Sequence, residues 1–174
     1  MQPALKKHGD LGEALECSRK GLRIFTELAA ADPTNWLARA NVGASELSIG
    51  EVLMLKGEIL EAMPHTLRAI AIFEAEVHKS PTEIASQAEG YWILAKSYSS
   101  LAEPESSLGK KVQFLREARS WYRKSLSMWQ QDPKQGQPNP LGGQSSGEQV
   151  AKDLAKCEAM LAKLQTQRPI AKPN

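Results

Sequence analysis

Aromatic residues are scarce in this chain, at 6% of 174 residues, and β-branched residues are sparse beside alanine, leucine, glutamate and lysine. Sheets draw on the missing types, so the composition favours an all-helical protein. Cysteine is nearly absent. Cys17 and Cys157 lie far apart and form no CxxC, which argues against a disulfide framework or structural zinc and makes a reducing compartment the default. No stretch approaches the roughly 18 uninterrupted apolar residues of a membrane-spanning helix. The opening MQPALKKHGDLGEAL carries two lysines with no apolar run behind them, so it does not read as a signal peptide. Neither charge sign dominates: 22 Lys and Arg against 20 Asp and Glu leave a net charge of +2, which excludes a polybasic nucleic-acid binder. What is present, 41% hydrophobic and 24% charged residues, is globular composition. The expectation is a cytoplasmic protein.

The chain repeats itself. GDLGEALECSRKGLRI (9–24) aligns with GEILEAMPHTLRAIAI (57–72), 48 residues on, placing Gly9 on Gly57, Ala14 on Ala62 and Leu22 on Ile70. Downstream, Phe25 matches Phe73 and Pro33 matches Pro81. A third copy, FLREARSWYRKSLSMWQQDP, sets Ala118 against Ala62 and Trp129 against Phe73, ending in Pro133; EPESSLGKK (103–111) is inserted before it.

Each unit reads as two helices. Pro33-Thr34-Asn35 suits a start and Gly57 a stop, which predicts a helix over 36–56 with Leu37, Ala40, Ala44, Leu47, Val52 and Leu55 at helical period. Its partner is predicted over 58–79, with Leu60, Leu67, Ile70, Phe73 and Val77 on one stripe and Pro64 near the first turn. The next pair covers 82–102 and 110–131, and a first helix covers 10–31. The Pro-, Gly- and Gln-rich segment 132–147 reads as a flexible connector. It leads to a capping helix over 148–166, with Val150, Leu154, Cys157, Leu161 and Leu164 inward and Lys152, Asp153, Lys156 and Lys163 outward. Residues 167–174 read as a disordered tail.

These residues resemble the tetratricopeptide repeat (TPR). In the third unit Tyr91, Leu94, Ala95 and Tyr98 match the pattern of the first helix, Ala118, Tyr122 and Ser125 that of the second, and Pro133 closes the repeat. The second unit matches more loosely, through Ile49, Gly50, Leu53, Ala62, Thr66, Ala69 and Pro81. The period of 48 exceeds the usual period of about 34. It is similar to the extended variant in the C-terminal regions of bacterial serine/threonine kinases and other signalling proteins. The resemblance implies antiparallel helical hairpins over 1–131, stacked as a right-handed superhelical array. In that register Met1 falls within a first helix whose hairpin is half missing. The expectation is therefore a piece of a longer protein, with one face of helix 10–31 left uncovered.

Catalytic motifs are missing from the sequence: there is no phosphate loop, no GxGxxG between strand and helix, and no kinase signature. His65 and His78 lie 13 residues apart, about 20 Å along one helix and too far to share a metal. His8, His65 and His78 are read as structural, and both cysteines as small packing residues. A non-catalytic protein with no cofactor and no metal is expected. The most basic stretch contains Arg116, Arg119 and Arg123 at i, i+3 and i+7, beside Trp121. It is either a patch for an anion or acidic peptide, or a solvated helix face.

The repeat register implies a concave groove lined by Asn41, Glu51 and Met54 from one unit and Trp92, Lys96 and Ser99 from the next, with Glu89 at its edge. With Lys96 nearly alone among acids, a clamp for a C-terminal carboxylate is not expected. The expected function is protein–protein interaction, with a partner's peptide or helix bound in this groove, and without nucleic acid or membrane. The alternatives are a self-associating spacer and a regulatory domain that takes a small molecule between helices.

Overall fold

The computed structural model describes residues 3–76, 80–131 and 145–166. Among these the chain forms six helices and no strand: α1 (Pro3–Ala31), α2 (Trp36–Lys56), α3 (Ile59–Ala75), α4 (Pro81–Ala102), α5 (Leu108–Gln131) and α6 (Gly147–Thr166). The helix starts and stops follow local chemistry. Asn35 caps α2 by accepting from the Ala38 N–H at 3.0 Å. Gly57 ends it at φ +82°, a left-handed turn that lets its N–H and that of Glu58 reach back to the carbonyls of Met54 and Leu53. At α4, Ser80 and Glu83 form a reciprocal capping box with Pro81 in the first turn. The Ser146 hydroxyl accepts from the Gln149 N–H to open α6.

Consecutive helices pack on one another, and α2 also meets α4. Their contacts have antiparallel register: in α2–α3, Arg39 at one end pairs with Glu76 at the other at 2.9 Å, while mid-helix Glu46 takes Arg68 at 2.7 Å. Small residues set the approach. A Cβ at Gly43 would press on Phe73, one at Gly90 on Ile70, and one at Gly50 on the Thr66 hydroxyl. The core that results contains Leu47, Phe73, Trp92, Ile93, Leu115, Tyr122, Trp129, Val150 and Leu161, contributed by α2 through α6. A smaller cluster joins Leu15 of α1 to Ile49, Val52, Leu53 and Ala62.

The repeated positions share a role wherever both sides of a helix are covered. Ala62 and Ala118 are fully buried, and Phe73 and Trp129 are buried. Their counterparts Ala14 and Phe25 in α1 are only half-buried, because among the described residues α1 packs chiefly against α2. Ile24 and Leu28 stand exposed on α1, as the uncovered face predicts.

Several expected positions differ. Leu60 is 74% exposed and Leu67 is also exposed, because α3 buries the stripe Ala62, Thr66, Ala69, Ile70 and Phe73 between α2 and α4. Leu37 and Leu55, near the two ends of α2, are exposed as well. Pro64 is the sixth residue of α3, past the first turn, where it removes a backbone hydrogen bond to the Leu60 carbonyl. Cys17 is exposed rather than packed, whereas Cys157 is buried. The connector before Ser145, the tail after Thr166, Val77 and His78, and the side chain of His8 lie outside the described residues.

Two outcomes follow from this packing. Gly50→Ala should cost about 1–3 kcal/mol in urea unfolding, since α2 and α3 must part to admit a methyl group beside Thr66. Burial pushes the Cys157 thiol up to about 11. A thiol reagent near neutral pH should therefore titrate Cys17 alone in the native chain and both cysteines after denaturation.

Candidate functional site

The groove expected along α4 is occupied by the chain itself. Trp92 is only 4% exposed, and its indole Nε1 donates to Asp153 Oδ2 of α6 at 3.0 Å. Gln149 Nε2 donates to the same oxygen at 3.1 Å, and Lys156 lies 3.5 Å from the other. Lys96, one turn beyond Trp92, holds its ammonium 5.4 Å from the indole centroid. At the other end of this contact Glu89 is 1% exposed and accepts from the Ser145 N–H at 3.0 Å and from the Ser145 hydroxyl. Asp153, expected to face water, is a buried anchor at 7% exposure. The reason is that Val150, Cys157 and Leu161 turn α6 so that this carboxylate meets the indole.

Of the other expected groove residues, Ser99 sits 3.4 Å from the Tyr122 hydroxyl, within the α4–α5 contact. Asn41 donates to the Leu37 carbonyl of its own helix at 2.8 Å, and Met54 packs against both apolar clusters. Glu51 is half-buried. The structure thus brings Trp92 and Lys96 together, adds Asp153 to them, and turns Asn41 and Met54 to local packing.

A second feature lies on the neighbouring side of α4. An open cleft of about 680 Å³ is lined by Arg116, Arg119, Arg123 and Lys124 of α5, with Tyr91 of α4 and Glu74 of α3. The arginine stripe read from the sequence forms its long wall. Tyr91 donates to Glu74 at 2.6 Å and accepts from Gln87 at 2.7 Å. Burial, reinforced by Glu74, pushes the Tyr91 phenol up to about 12, so it stays protonated. The Lys124 ammonium lies 4.2 Å from the Trp121 centroid and 5.5 Å from that of Tyr91. Trp121 is therefore a half-buried platform for Lys124 rather than a free surface anchor. Glu74, Tyr91 and Lys124 could not be assigned to this cleft from spacing, because they come from three helices.

No group of three His, Cys, Asp or Glu side chains among the described residues could hold a metal, and no described helix is long and apolar enough to cross a membrane. His65 instead joins Arg68 on the buried Glu46. Burial works to raise the Asp153 pKa, but the hydrogen bonds from Gln149 and Trp92 and the charges of Lys96 and Lys156 outweigh it and hold the carboxyl low. A depressed folded-state pKa contributes stability above the unfolded value of about 3.9 and loses it as pH falls through the folded value. The stability gap between wild type and Asp153→Asn, about 1 kcal/mol at neutral pH, should close on acidification below that range in urea titrations. Compared with protein-family models, curated proteins and solved structures, the chain finds no match.

Proposed function

We propose that the protein is a non-catalytic, tetratricopeptide-like interaction module that binds a peptide or helix of a protein partner, within a larger bacterial signalling protein. The supporting observation is the seat of α6. An amphipathic helix packs on α5 and reaches across to α4, presenting Asp153 to Trp92 while Val150, Cys157 and Leu161 enter the core. A partner helix with an acidic residue one turn from two apolar ones would meet the same surface by the same chemistry. Hydrophobic burial supplies its affinity, and the buried carboxylate, which needs the indole donor on α4, supplies selectivity. The long repeat period in the sequence is what supports a place among kinase-associated signalling proteins.

The test is a labelled peptide spanning Gly147–Thr166 added to the full chain carrying Asp153→Lys, which weakens the resident contact. Fluorescence anisotropy should rise saturably with this variant and less with wild type, whose own α6 competes. A peptide bearing the same Asp153→Lys change should not bind. Equal, unsaturable signals in all three cases would reject helix capture at α4.

Self-association is the second reading, favoured by the exposed apolar side chains Ile24, Leu28, Trp36 and Leu37 about the α1–α2 corner. Light scattering should then give a mass that rises with concentration and returns to the monomer in Ile24→Lys with Leu28→Lys. A monomer at every concentration would exclude it.

A further inference from the structure

The cleft on α5 has features that helix capture beside Trp92 does not use. Its wall carries four cations, Arg116, Arg119, Arg123 and Lys124, against one carboxylate, Glu74, which already accepts from Tyr91. Arg123 is paired with Glu158 of α6 at 2.7 Å, but no ion pair engages Arg116 or Arg119 among the described residues. Lys124 is held over two aromatic rings rather than by an acid. In a chain of net charge +2, this is a local concentration of positive charge beside the half-buried thioether of Met128.

The dimensions select among anionic ligands. From Arg116 to Met128 the wall rises about 18 Å along α5, at 1.5 Å per residue. That length matches five or six residues of extended chain at about 3.3 Å each. Neighbouring guanidinium groups on this stripe are separated by about 4.5–6 Å of helix rise, within the screening length of about 8 Å at physiological salt, so they act together on a ligand carrying several charges. A single phosphate would instead need donors converging on one point, and the wall belongs to the middle of α5, where backbone N–H groups are already used within the helix.

We propose that the cleft bounded by α3, α4 and α5 is a docking site for an extended acidic peptide, with carboxylates paired to Arg116 and Arg119 and an apolar side chain laid against Met128. This goes beyond helix capture and uses another face of α4, so either can fail alone. Arg123 is the reserve cation: a ligand gains it only by displacing Glu158.

The test is fluorescence anisotropy of a labelled Asp-rich peptide of about six residues with the full chain, against the same peptide with Asn for each Asp. Wild type should bind the acidic peptide alone, more weakly as sodium chloride rises. Arg116→Gln with Arg119→Gln should weaken binding roughly tenfold, and Glu158→Gln should strengthen it about threefold by releasing Arg123. Lys20→Gln, on the exposed side of α1, should leave it unchanged. Circular dichroism checks that the variants, all at side chains with solvent access, remain folded. Equal binding of the Asn peptide, or a double variant that binds like wild type, overturns the proposal. So does displacement by inorganic phosphate at matched ionic strength, which would assign the cleft to a free anion.

Discussion

The structure turns on the burial of α4. It lies between α3 and α5, touches α2, and meets Asp153 of α6 through Trp92, so few of its residues reach water. A helix covered on so many sides would ordinarily be apolar all round, yet α4 buries Glu83, Ser86, Gln87, Glu89 and Ser97. Each buried polar group left without a partner would cost about 1–3 kcal/mol. The neighbouring elements therefore have to supply partners in fixed places: Glu74 of α3 for the Gln87–Tyr91 pair, Ser145 for Glu89, and Asp153 of α6 for Trp92. Apolar contact alone would let these helices slide. Directed hydrogen bonds specify how far along α4 each neighbour sits.

The same constraint explains why the two candidate sites lie side by side. Tyr91 and Trp92 are consecutive and so point about 100° apart around the helix axis. Trp92 turns to α6 and is sealed by it; Tyr91 turns towards α3 and α5, where the Lys124 stack and the arginine wall leave a cleft open. One side of α4 is thus covered by Asp153 of α6 and the next faces an open, positively charged cleft. α6 takes part in both, through Asp153 on one side and through the Glu158–Arg123 pair on the other.

Much of the fold was legible in the amino-acid order because its signals are local. The Asn35 and Ser80 caps, the Gly57 stop and the apolar period of each segment predict the helices to within a few residues, except where α1 begins earlier. The self-alignment picked out Ala62, Ala118, Phe73 and Trp129 as equivalent, and all four are buried. The arginine stripe was legible for the same reason: three residues on one helix share a face at i, i+3 and i+7 whatever surrounds it. Leu60 and Leu67 show the limit. Their spacing marks an apolar face, but it does not say which side of α3 meets a neighbour, and Ala62, Thr66 and Ala69 won because small residues admit a closer approach.

The sequence by itself determined the helical class, most of the helix boundaries, the repeat and the basic stripe, since each depends on residues within a few turns of one another. Only the tertiary structure decided that Trp92 is covered rather than open, that Asp153 is an anchor rather than a solvated charge, and that Glu74, Tyr91 and Lys124 join the arginines around one cleft. Those outcomes depend on pairings 61 residues apart, as between Trp92 and Asp153, and on the rotation of α6 about its own axis. Helical periodicity sets which residues share a face; it carries no information about what that face will touch.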